Sequence, residues 1–272
     1  VTGAAVEDWL EHNAGPRGRL AGWVGATGSG GTLAAGDYLK GRFPGATITA
    51  AEALQCPTLL ACGFGGHRIE GIGDKHIPWI HNVRTTDVIT AIDEEATMRL
   101  LRMFNHEAGR DLLSARGVSD AVIGQLDDLG ISSICNLLAA IKTAKYYDLG
   151  PDDILVTSFT DSVEMYRTRL DEMNETHGSY SATDAAVDFE RRLLGSTTDH
   201  LRELTYRERR AIHNFKYFTW FEQQAQTVEE LEALWNPSFW TDLTDGVPEW
   251  DEAIRAFNRE TSVLELMEQD DE

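Results

Sequence analysis

Leu20-Ala21-Gly22-Trp23-Val24-Gly25-Ala26-Thr27-Gly28-Ser29-Gly30-Gly31-Thr32-Leu33-Ala34-Ala35-Gly36-Asp37-Tyr38-Leu39-Lys40 passes from a short apolar run into a glycine-rich turn and out into a helical pattern. A run as short as Leu20 to Val24 fits a buried strand, and the pattern from Leu33 to Lys40 fits a helix. Strand, glycine loop and helix in that order form the opening of an α/β unit. Upstream, Ala4 to His12 reads as a helix with Val6, Trp9 and Leu10 on one face, closed by Asn13-Ala14-Gly15-Pro16. Downstream, Ala46 to Ala51 reads as a second buried strand ending at Glu52, and the alternation predicts a parallel-rich sheet covered on both sides.

Further along, residues 53 to 82 are glycine-rich and without period, and Asp87 to Ile92 is β-prone. Asp93 is placed to cap a helix running through Glu107, with Ala96, Leu100, Met103 and Phe104 at spacings of three and four. A helix is predicted from Ser132 to Tyr147, stopped by Gly150-Pro151, and a last strand from Ile154 to Phe159. After Asp161 the pattern is helix and loop, ending in a fraying tail, Glu268 to Glu272. The change of pattern near residue 175 divides the chain into an α/β body, 1–174, and a helical C-terminal extension, 175–272.

The 272 residues are 42% hydrophobic and carry a net charge of -21, enough apolar content for a sizeable core and a field that repels nucleic acid and anionic membranes. Three cysteines, Cys56, Cys62 and Cys135, make neither a disulfide framework nor a zinc site, which fits a reducing cytoplasm. No apolar run approaches the ~18 residues of a membrane span, and the residues from Val1 on read neither as a basic n-region nor as a signal-peptide core. It begins at Val1 rather than Met, as expected of a piece of a longer reading frame.

Successive backbone N–H groups at a helix N-terminus make an anion site, and glycines let phosphate oxygens approach them. Gly28 to Thr32 supplies those groups with the hydroxyls of Ser29 and Thr32, although such turns also occur for packing alone. One rival is a dinucleotide site, with Gly25-x-x-Gly28-x-Gly30 after a strand and Glu52 where a ribose-binding acid belongs. No Tyr has a Lys four residues later, as a short-chain dehydrogenase requires, and no Lys follows Gly31-Thr32, as a nucleoside-triphosphate loop requires.

Two further segments carry a resemblance. Gly65-Gly66-His67-Arg68-Ile69-Glu70-Gly71-Ile72-Gly73, with Ile77-Pro78 after it, and Gly130-Ile131-Ser132-Ser133 are similar, in order and spacing, to stretches of the cysteine synthase family. Thr2-Gly3 and Asp93-Glu94-Glu95-Ala96 fall in place as well, so the likeness spans about residues 2 to 160. The resemblance implies the tryptophan synthase β-like fold of type II pyridoxal 5′-phosphate enzymes, three-layered, with most of its N-terminal half absent from this chain. It implies that Gly28, Ser29, Gly30, Gly31 and Thr32 bind the cofactor phosphate. It implies that Ser132 hydrogen-bonds the pyridine nitrogen, and that Gly71, Ile72 and Gly73 line the substrate side. Helix capping is the plainer role for Ser132 or Ser133, and a tight turn for the glycines.

The reaction implied is β-elimination or β-replacement on an amino acid such as serine, O-acetylserine or cysteine, by a homodimer of the complete protein. The family holds its cofactor as a Schiff base on a lysine that lies before Thr2 in the family pattern. None of Lys40, Lys75, Lys142, Lys145 and Lys216 stands in that motif, so no catalytic residue is assigned. The segment between Gly109 and Gly130 is longer than in the family, and Ile134 replaces the glycine after Ser-Ser, which leaves the substrate open. No metal ligands are expected; His213 stands alone, in an aromatic stretch that suits a core or a dimer interface. Two other readings stay open: a non-catalytic or split-subunit scaffold with the same fold, and an NAD(P)-binding oxidoreductase.

Overall fold

The computed structural model describes residues 1–263; the expected fraying at Glu268 to Glu272 lies outside them. The body begins with α1 (Thr2–Asn13), β1 (Arg19–Ala26), α2 (Leu33–Arg42), β2 (Thr47–Ala53), the single turn α3 (Thr58–Ala61) and β3 (Val88–Ile92). It continues through α4 (Glu94–Phe104), α5 (Glu107–Ala115), α6 (Asp120–Ile123), α7 (Ile131–Tyr146) and β4 (Asp153–Thr157). Helix α8 (Arg167–His177) runs across the division expected at residue 175, and the extension holds α9 (Ala182–Asp188), β5 (Leu201–Glu203), α10 (Tyr206–Asn214), α11 (Val228–Ala233), α12 (Pro237–Asp245) and α13 (Val247–Thr261). No helix among the described residues is long and apolar enough to cross a membrane.

The sheet order is β4-β1-β2-β3-β5; the first four strands are parallel and β5 is antiparallel to β3. Alternation along the strands divides the core between two faces. Trp23 and Ile48 turn toward α1 and α2, with Ala35 and Leu39 beside them. Val24, Ala51 and Ala53 turn toward α4 and α7, which contribute Met98, Leu101, Ile134 and Leu138. Helices on both faces make the three layers expected of a parallel-rich α/β sheet.

Two expectations are corrected. The helix capped by Asp93 stops at Phe104 instead of running through Glu107, because His106 starts a new one by accepting the Ala108 N–H on its Nδ1. The region after Asp161 is not helix and loop alone, because Leu201 to Glu203 forms β5. Asp93 does cap α4, its side chain accepting from the Glu95 N–H.

Candidate functional site

At the end of β1 the chain is pinned before it turns. Asn136 of α7 accepts the Ala26 N–H at 2.7 Å and donates to the Ser158 carbonyl at 2.8 Å, tying α7 to the ends of β1 and β4. Thr32 closes the loop from the other side, its hydroxyl donating to the Ala26 carbonyl at 2.8 Å and its own carbonyl accepting from the Trp23 indole. The Thr32 hydroxyl proton is therefore spent on the Ala26 carbonyl and shapes the loop, although Thr32, like Ser29, is exposed.

Between these pins the backbone N–H groups of Gly28, Ser29, Gly30, Gly31 and Thr32 donate to no protein acceptor among the described residues. Gly30 has φ +92°, in the region that favours glycine, and a Cβ there would sit 3.4 Å from His81 Cβ and 3.5 Å from its backbone. The loop opens α2, whose first turn has no side-chain cap; its Leu33 and Ala34 N–H groups donate to the Gly30 and Gly31 carbonyls, and its dipole faces the loop. An anion of phosphate size is the group this arrangement satisfies.

Gly71 to Gly73 lies against the same loop. The Gly73 N–H donates to the Thr27 carbonyl at 3.0 Å, and a Cβ on Gly28 would stand 3.4 Å from the Gly71 carbonyl oxygen. Gly73 has φ +86°, and the His67 ring fills the space a side chain there would take. The stretch is fixed to α4 by Arg68, which pairs with Glu94 at 3.0 Å and Glu95 at 2.8 Å. A small cavity beneath is lined by Thr27, Gly28, Glu52, Thr58, Gly73 and His76.

Glu52 is 2% exposed and its two oxygens accept the N–H groups of Leu59 and Leu60, each at 2.8 Å. It faces into the fold with both oxygens engaged, which removes the acid that a dinucleotide site would use for ribose. Burial pushes its carboxyl up to about 7, against the pull of those N–H groups. A carboxyl whose pKa rises on folding stabilises the fold below its unfolded pKa, near 4.5, and loses that contribution as pH rises through 7. The stability of wild type relative to Glu52→Gln is therefore expected to fall by about 3 kcal/mol between pH 4.5 and pH 8, at ~1.4 kcal/mol per unit. Urea unfolding at both pH values checks it; a difference independent of pH would refute the assignment.

Ser132 lies in the first turn of α7, one helical turn before Asn136 on the same face, and so at the end of the sheet where the loop begins. Neither Ser132 nor Ser133 caps α7; Gly130 holds that position without a side-chain bond. Ser132 Oγ lies 3.3 Å from both Thr160 Oγ1 and Asp161 Oδ1, and Ser133 accepts the Thr160 N–H. Such long contacts leave the Ser132 proton able to turn toward another acceptor.

The lysines are mostly engaged elsewhere. Lys40 pairs with Asp87, Lys142 with Asp199, and Lys145 donates to the Leu194 and Ser196 carbonyls. Lys75 is exposed, and Lys216 is fully buried on the Trp79 and His81 carbonyls. His213 Nε2 donates to the Leu231 carbonyl at 3.0 Å, and no cluster of three metal-ligating side chains occurs among the described residues. Asn136 went unmarked in the sequence, where its polar side chain inside Ile134-Cys135-Asn136-Leu137-Leu138 was the available signal, and Lys216 was weighed only as a lysine outside the family motif.

Fold and loop together make a parallel-rich α/β body with a row of unclaimed N–H groups at a strand-to-helix turn. No family model matches the chain. It is 29% identical over 145 residues to a cysteine synthase B of Campylobacter jejuni, which covers 53% of this chain and 42% of that protein. It is 30% identical over 145 residues to a cysteine synthase of Staphylococcus aureus, with 53% and 41% covered. Over 148 residues it is 30% identical to a probable cysteine synthase of Bacillus subtilis, with 54% and 42% covered. The crystal structure of an Entamoeba histolytica cysteine synthase superposes with a TM-score of 0.51 at 22% identity, over 70% of this chain and 48% of that one. The chain shares its fold with that structure and is similar to cysteine synthases over about half of its length, and it spans less than half the length of these curated relatives.

Proposed function

We propose that this chain carries the phosphate-binding part of a pyridoxal 5′-phosphate enzyme that performs β-elimination or β-replacement on an amino acid. The observation that carries the reading is the row of five unclaimed N–H groups from Gly28 to Thr32, with Gly71 to Gly73 packed beside it. These groups suit the cofactor phosphate in number, spacing and sign of charge. When bound, the cofactor acts as an electron sink for the amino acid's α-carbon. The loop N–H groups would hold its phosphate, and Ser132 Oγ would donate to its ring nitrogen. A neutral hydroxyl there leaves that nitrogen unprotonated, which favours loss of a β-substituent over full delocalisation of charge. Gly71 to Gly73 bounds the side on which the substrate carboxylate enters, without side chains to block it.

The lysine that moves the α-proton would come from residues outside this chain, in a longer polypeptide or a partner, and the complete protein would be a homodimer. A split or non-catalytic subunit is the second reading, favoured by four of the five lysines being committed to other contacts.

The test uses 4′-deoxypyridoxine 5′-phosphate, which cannot attach to surface lysines. Calorimetry is expected to find it bound at least ~100-fold more tightly than 4′-deoxypyridoxine, since charge-assisted bonds contribute about 1.5–3 kcal/mol each. Inorganic phosphate should compete. Equal affinity for the two compounds, or displacement by NAD, would overturn the reading.

A further inference from the structure

The extension grips one short stretch of the body in an unusual way. Within residues 76 to 81, Trp220 Nε1 donates to the Ile77 carbonyl at 2.8 Å, and Lys216 Nζ donates to the carbonyls of Trp79 at 2.7 Å and His81 at 2.8 Å. Thr219 and His76 share a further hydrogen bond at 2.8 Å. All three extension residues come from one stretch, Lys216 and the π-helical turn Tyr217–Phe221 behind it. A buried ammonium is a costly way to fill space, so this lysine is better matched to its two carbonyls than to packing.

The other side of the gripped stretch is the phosphate loop. The backbone of His81 stands where a Cβ on Gly30 would touch it, and the His81 ring turns inward to Thr86 at 2.9 Å. One turn into α2, the Thr85 hydroxyl has Asp37 and the Asn82 carbonyl as acceptors for its one proton. Residues 79 to 85 are thus held between Lys216 on one side and Gly30 with α2 on the other.

We propose that Lys216 is a positioning residue through which the extension clamps the phosphate loop in its anion-binding shape. The proposal rests on the phosphate reading of Gly28 to Thr32 and adds a role for the extension. Loss of the clamp frees the Trp79 and His81 carbonyls, and the stretch behind Gly30 loses its fixed position. The five N–H groups then converge less well on one anion.

The experiment compares Lys216→Met, Trp220→Phe and His213→Leu in the full chain. His213 is buried in the same extension but bonds only within it, to Leu231, so its variant reports general loosening. Lys216→Met is expected to weaken 4′-deoxypyridoxine 5′-phosphate binding about tenfold, with 4′-deoxypyridoxine unaffected, and to speed amide exchange at Gly28 to Thr32 and Trp79 to Asn82 together. Trp220→Phe, which removes a single donor, should do the same to a smaller extent, and it decides the matter if Lys216→Met does not fold. His213→Leu should change neither. An unchanged phosphate preference and unchanged exchange at Gly28 to Thr32 in the clamp variants would overturn the proposal, as would an equal effect from His213→Leu. If the wild-type chain shows no preference for the phosphate, the functional reading fails instead, and the linked exchange of the two segments still decides whether the clamp exists.

Discussion

Gly30→Val is expected to remove phosphate binding while leaving most of the fold in place. Gly30 has φ +92°, a conformation that a β-branched residue adopts only at a cost of about 1–3 kcal/mol. The new side chain would also begin 3.4 Å from His81 Cβ, so its branches add to a contact already made. The loop relieves the strain by turning, and its N–H groups no longer point at one centre. Affinity for 4′-deoxypyridoxine 5′-phosphate should fall at least ~100-fold, with Tm lower by only a few degrees. Retained affinity in a folded Gly30→Val protein would show that the anion site lies elsewhere.

Asn136→Leu should have the largest effect on stability. The side chain is 4% exposed and joins three elements, accepting from Ala26 at the end of β1 and donating to Ser158 just after β4. Leucine fills a similar volume but leaves the buried Ala26 N–H and the partly buried Ser158 carbonyl unpaired, each at about 1–3 kcal/mol. A loss of roughly 2–5 kcal/mol follows, measured by urea unfolding followed by circular dichroism. Because Ala26 precedes the loop, phosphate affinity should fall in the same variant. A loss under ~1 kcal/mol would mean that water replaces the amide, and that Asn136 is not the pin described above.

The parts legible in the sequence were those carried by contiguous chemistry. Apolar runs at Leu20 to Val24 and Ala46 to Ala51 become β1 and β2, and the glycines between Gly28 and Thr32 sit in a turn before a helix. What was not legible depends on contacts across the chain. The apolar stripe of α4 continues past Phe104, so periodicity alone cannot see that the His106 side chain restarts the helix. Three residues, Leu201 to Glu203, are too few to show alternation, and the edge of β3 makes them a strand. Lys216 resembles any solvated helical lysine in sequence; only the fold reveals two carbonyls waiting for it. The Thr32 hydroxyl proton, expected to face a ligand, is spent within the loop because the Ala26 carbonyl at its other end needs a donor.

The short β5 has a consequence for how this protein behaves in company. The outer side of β3 carries Val88, Ile89 and Thr90, fully or almost fully buried, and β5 meets them in antiparallel register from Leu201 to Glu203. Uncovered, such a strand offers its hydrogen bonds to any passing extended chain and seeds aggregation. By covering it with a strand that brings Arg202 and Glu203, the extension acts as a guard against self-association, and does so whether or not any ligand is bound.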